Sequence, residues 1–174
     1  SALMEDTGRP SQFLNMHFAN QVWLNNTAEI MGSPKTDPKI YDEIVEFARN
    51  IGMIPIQLKK EQPGYILNSL LIPLLSAGEE LWVKGVADPE MIDKTWMAAT
   101  GAPMGPFAIL DVVGIRTAYN ITATQAKSGE DPNAQVLADK LKELLDAGKL
   151  GMESSEGFYH YPNPAYKDPD FLKI

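Results

Sequence analysis

The sequence of 174 residues contains no cysteine and only two histidines, His17 and His160. Without thiols there is no disulfide and no thiolate chemistry, which fits a reducing cytoplasm. Two imidazoles without cysteine partners make a poor set for a zinc ion. Basic residues are scarce as well: 15 lysines and arginines stand against 23 aspartates and glutamates, a net charge of -8. A chain this acidic is repelled by phosphate backbones and shows no local basic patch, so nucleic acid is not expected as a partner. The opening Ser1-Ala2-Leu3-Met4-Glu5-Asp6 has neither the basic nor the apolar stretch of a secretory signal,. The longest apolar run, around residues 70–75, falls short of the roughly 20 residues that span a bilayer, so no membrane crossing is expected. No Gly-x-Gly-x-x-Gly, Gly-x-x-x-x-Gly-Lys or Gly-x-Ser-x-Gly occurs, so the sequence carries no nucleotide-binding fingerprint and no nucleophile elbow,.

What is present is the composition of a folded protein, with 44% apolar and 22% charged residues,. The length suits one domain, or one domain with part of a neighbour. Residues 13–18 alternate apolar and polar side chains and read as a strand, and residues 27–31 as a second. Asp37 is a good N-cap with Pro38 at the first helical position. Ile40, Ile44, Phe47, Ala48 and Ile51 then follow at helical spacing, and Gly52 suits the C-terminal cap. Residues 53–58 form a further β run, confined to a sheet edge by Pro55. This β, β, α, β order is the tail of an α/β sheet domain over residues 1–62, closed by the polar Lys59-Lys60-Glu61-Gln62-Pro63-Gly64.

Residues 63–174 read as helical, so the fold class is mostly α. A long helix spans residues 65–84 with Pro73 inside it, where a kink is expected. Asp88 and Pro89 start the next helix. The loop of residues 101–106 leads into a single helix over about 107–126, and Asp131-Pro132 starts the last, which ends at Gly148. The long helix is apolar on more than one face, so it either runs through the middle of the bundle or meets a second subunit.

Three residues are candidates for chemistry. His17 stands at the end of a strand, and an imidazole takes up a proton near neutral pH, so it is suited to a general base. Glu29 lies twelve residues on, in the neighbouring strand. If residues 21–26 turn, the strands pair and the carboxylate reaches the imidazole, the arrangement that fixes a histidine tautomer; otherwise Glu29 is a solvent-facing strand residue. Asn68 interrupts an apolar run, so its amide needs partners, either backbone groups or a substrate oxygen. Asp111, set among apolar residues, suits a buried polar network.

A series of stretches in order then resembles the 3-hydroxyacyl-CoA dehydrogenase family. They are Phe13-Leu14-Asn15-Met16-His17-Phe18-Ala19-Asn20; Asn26-Thr27-Ala28-Glu29-Ile30; Pro63-Gly64-Tyr65-Ile66-Leu67-Asn68; Asp88 to Asp93; Gly101-Ala102-Pro103-Met104-Gly105-Pro106-Phe107; Leu110-Asp111-x-x-Gly114; and Glu156-Gly157-Phe158-Tyr159-His160-Tyr161. The resemblance implies a remnant of a Rossmann-type NAD-binding domain followed by a helical domain through which the family dimerises. It implies NAD as cofactor, an acyl-CoA as substrate and oxidation of (S)-3-hydroxyacyl-CoA to 3-oxoacyl-CoA. It also makes His17 the base, Glu29 its orienting acid and Asn68 the ligand of the substrate oxygen. The family's Gly-rich turn and catalytic serine fall before Ser1, so this chain alone is expected to be inactive. Ala19 and Gln21-Val22-Trp23-Leu24 differ from the family's usual Phe-Asn-Pro-Val, and related enzymes oxidise free hydroxy acids. The alternatives are a non-catalytic module that dimerises or binds acyl-CoA, or a purely structural helical domain in which His17 and Glu29 lie apart.

Overall fold

A computed structural model describes residues 3–129 and 133–173. Its chain divides into two compact units, Ser1–Ile72 and Pro73–Ile174. In the first, β1 (Leu14–Phe18) pairs antiparallel with β2 (Thr27–Gly32), and β2 pairs parallel with β3 (Ile54–Gln57). The segment between β1 and β2 makes the turn that the strand spacing requires. Between β2 and β3 the chain crosses over through α1 (Pro38–Asn50), whose N-cap Asp37 accepts the N–H of Lys39 at 2.9 Å. Sheet order is β1-β2-β3, so Pro55 lies on an edge strand, where its missing N–H costs no ladder bond,.

The two-residue period of the strands sorts their side chains. Ala28 and Ile30 of β2, with Leu14 and Met16 of β1, pack against Val45, Ala48, Tyr41 and Ile44 of α1. His17 and Glu29, opposite each other in the register, therefore turn to the other face,. The tail of this unit is the start of α2 (Tyr65–Val83), which continues without a break past Pro73. Among the described residues α2 is the one helix long and apolar enough to cross a membrane by length and composition. The run of residues 70–75 therefore understates its apolar length. Leu70 is 71% exposed, and Ile66 and Ile72 are exposed with it.

In the second unit, α3 (Pro89–Thr100), α4 (Pro106–Val113), α5 (Ile115–Ser128) and α6 (Ala134–Asp146) follow in order. The single helix expected over residues 107–126 is two helices, broken at Gly114 with φ +95°. The cause is the chain near Leu150: its carbonyl takes the N–H of Ile115 at 3.1 Å. A Cβ on Gly151 would stand only 2.4 Å from the Asp111 carbonyl oxygen. The returning C-terminal segment thus occupies the place where the helix would have continued. The expected start of the last helix at Asp131-Pro132 lies outside the described residues.

Two buried aspartates join these helices to the C-terminal segment. The carboxylate of Asp93 accepts the N–H groups of Phe107 and Ala108, both at 2.8 Å, and the hydroxyl of Tyr159 at 2.9 Å. That of Asp111 accepts the N–H groups of Phe158 and Tyr159, both at 2.9 Å, and the hydroxyl of Tyr161 at 3.0 Å. Burial pushes the pKa of both carboxyls up, and the N–H groups pull against it,. Asp111 thus has the network role that its apolar surroundings suggested.

Candidate active site

The candidate residues His17, Glu29 and Asn68 all fall within the first unit. Nδ1 of His17 lies 2.8 Å from Oε2 of Glu29. The other oxygen, Oε1, accepts the N–H groups of Ile66 at 2.8 Å and Leu67 at 2.9 Å. Oε1 is already taken by two N–H donors, so the tautomer that fits this arrangement has its hydrogen on Nδ1 and donates it to Oε2,. The lone pair of the imidazole is then on Nε2. The His17 side chain is 26% exposed while that of Glu29 is 5% exposed. The pair therefore has a sheltered end and an accessible end. A structural domain with these residues far apart is excluded.

Glu29 sits where a buried carboxylate is stabilised. Pro63 and Gly64 precede α2 and offer no side-chain oxygen to cap it, and its first turn holds no acidic residue,. The carboxylate from β2 supplies that cap from across the unit, with charge-assisted bonds at the positive end of a 19-residue helix,. One side chain thus orients the imidazole and anchors the helix that carries Asn68.

Asn68 follows Tyr65 by three residues and so lies one turn along on the same side of α2. It is half-buried, and its backbone N–H is bonded to the Gly64 carbonyl at 3.1 Å. Its side-chain amide bonds none of the described residues, Glu29 and His17 included, which leaves it open to a ligand oxygen. Sequence reasoning passed over Tyr65, whose ring stacks on that of His17 with centroids 4.4 Å apart and planes 7° from parallel. An aromatic residue directly after Pro-Gly was the available signal, but spacing does not say where its ring lands. No cluster of three or more metal-ligating side chains occurs among the described residues.

In the second unit, Glu79 on α2 is only 8% exposed and hydrogen-bonds none of the described residues. Burial pushes its pKa up to about 7. It lines a cavity of about 300 Å³ with Ser76, Gln125 and Leu137. Nothing in the sequence pattern set it apart from the exposed Glu80 beside it.

Two family models match the chain. Residues 1–62 match the 3-hydroxyacyl-CoA dehydrogenase NAD-binding domain, and residues 64–161 match the 3-hydroxyacyl-CoA dehydrogenase C-terminal domain. Human mitochondrial hydroxyacyl-coenzyme A dehydrogenase is 33% identical over 162 residues, which is 92% of this chain and 51% of that protein. A probable 3-hydroxybutyryl-CoA dehydrogenase of Deinococcus radiodurans is 32% identical over 161 residues, 92% of this chain and 57% of that protein. Among solved structures, a diketoreductase described as catalysing dicarbonyl compounds is 58% identical with a TM-score of 0.83, over 91% of this chain and 55% of the other. The chain spans about half the length of the curated relatives it matches.

Proposed function

The chain belongs to the 3-hydroxyacyl-CoA dehydrogenase family, and from that premise we propose that it supplies the acid–base half of an NAD-dependent oxidoreductase acting at the 3-position of an acyl-CoA. The observation that carries this reading is the 2.8 Å contact of His17 Nδ1 with Glu29, which leaves the Nε2 lone pair free on the accessible side. In the oxidising direction Nε2 takes the proton of the 3-hydroxyl as the C–O bond becomes C=O. Glu29 balances the imidazolium that results. The Asn68 amide donates to the same oxygen and holds it in place.

NAD, when bound, supplies the hydride acceptor. The NAD-binding family model and the dehydrogenase relatives imply its use. The three-stranded remnant with His17 and Glu29 on one face offers proton chemistry but no Gly-rich turn for a pyrophosphate,. On this reading a Gly-rich turn that these 174 residues do not contain holds the pyrophosphate, and this chain by itself is expected to be inactive,. The exposed apolar side chains of Ile66 and Leu70, one turn apart on α2, are covered by a second copy in a homodimer,. That reading suits a helix that also carries Asn68, Glu79 and Glu80 better than a bilayer does. Absence of thiols agrees with a cytoplasmic setting.

A second substrate reading has its own support. The diketoreductase is far closer in identity, at 58%, than the human acyl-CoA enzyme at 33%. A free dicarbonyl compound, without the CoA thioester, is the substrate on that reading. Reduction of acetoacetyl-CoA and of a free dicarbonyl ester by the protein carrying the nucleotide-binding segment separates the two. A higher kcat/KM on the thioester supports the first, a higher value on the free ester supports the second, and no NADH oxidation with either contradicts both.

A further inference from the structure

His17 is held on two sides by the same turn of chain. Its Nδ1 edge meets Glu29, which is tied to the N–H groups of Ile66 and Leu67, and its ring face meets Tyr65, the residue just before them. Tyr65 reaches that place through an uncommon backbone. Its φ is +55°, directly after Gly64 at +81°. An L-residue with a bulky ring rarely adopts the left-handed region, which is disfavoured for any side chain bearing a Cβ. Bonds around the turn hold it there: the Tyr65 N–H donates to the Gln62 carbonyl at 3.0 Å, and the Ser69 hydroxyl donates to the Tyr65 carbonyl. Glycine would fit this backbone without strain. A ring in that position therefore needs a reason in what the ring does.

We propose that Tyr65 is a positioning residue for His17: its ring, carried on the left-handed turn, fixes the imidazole plane so that Nδ1 stays on Glu29 and Nε2 stays turned to the substrate. The near-parallel stack prevents rotation about the outer side-chain torsion, which is otherwise broad for histidine. This constraint acts on the proton transfer and not on substrate binding.

This rests on the dehydrogenase reading for its kinetic consequence but not for its structural one, and the test uses both. In this chain, ¹⁵N NMR of the imidazoles follows His17, with the exposed His160 as internal control. Tyr65→Gly, which relieves the backbone, is expected to move the His17 nitrogens from a single Nδ1–H form to a mixture of tautomers, and Tyr65→Phe to leave them unchanged. In the protein that carries the nucleotide-binding segment, Tyr65→Gly is expected to lower kcat by about three- to thirtyfold, with KM within about twofold and Tyr65→Phe restoring the rate. Unchanged His17 signals in Tyr65→Gly, or an unchanged kcat, overturns the proposal. Absence of any NAD-dependent turnover in the parent overturns the dehydrogenase reading instead, and the NMR result then decides the role of Tyr65 by itself.

Discussion

Glu29 faces His17 across the β1–β2 ladder with one carboxylate oxygen 2.8 Å from Nδ1, and the other oxygen caps α2. The two tasks make a substitution informative. In Glu29→Gln the amide oxygen can keep the N–H groups of Ile66 and Leu67, which turns the amide NH₂ toward His17. Nδ1 must then accept, so the proton moves to Nε2 and blocks it as a base. We expect kcat to fall by roughly 10²- to 10⁴-fold with the fold intact, as when a triad aspartate becomes asparagine. Steady-state kinetics beside thermal unfolding checks this, and a variant of normal rate removes the tautomer argument.

Much of the first unit is legible in the sequence. The alternation of residues 13–18 and the twelve-residue separation of His17 from Glu29 were enough to place both on paired strands. The cap of α2 by Glu29 and the ring of Tyr65 on His17 were not legible, because both depend on a left-handed turn that brings residues far apart in the sequence into contact. The split of the helix at Gly114 escaped for a similar reason. Residues 107–126 have good local helical pattern, and the competitor for the Ile115 N–H comes from Leu150. Asp111 was readable because a charged residue among apolar neighbours has few places to go, whereas its partners Phe158, Tyr159 and Tyr161 were not.

That network makes Gly157 sensitive to substitution. A Cβ there would stand 2.0 Å from the Asp111 carboxylate, whereas one on Gly148 would meet nothing within 4 Å. Gly157→Ala is expected to destabilise the protein by about 3 kcal/mol or more, through overpacking and loss of a buried charged acceptor. Gly148→Ala meets only the left-handed strain of φ +76° and is expected to cost roughly 1–2 kcal/mol. Urea unfolding of the two variants gives the comparison, and equal losses contradict the close contact at Asp111.

Glu79 gives a pH dependence of stability. Its pKa in the folded protein is about 7 against an ordinary 4.5, so the fold binds its proton more tightly than the unfolded chain does. The stabilisation this provides is complete below pH 4.5 and is lost as the pH rises through 7,. Buried Asp93 and Asp111 are shifted in the same direction, so the parent is compared with Glu79→Gln. The variant is expected to gain on the parent by roughly 1–3 kcal/mol between pH 5 and pH 8. A constant difference across that range in chemical denaturation shows that Glu79 is not desolvated.

The central claim is that His17, oriented by Glu29, is the base of a hydride-transferring enzyme. Its most direct test is the steady-state kinetics of His17→Gln in the protein that carries the nucleotide-binding segment, followed by NADH absorbance. The account predicts a fall in kcat of roughly 10²- to 10⁴-fold with KM nearly unchanged. A raised KM with unchanged kcat contradicts it.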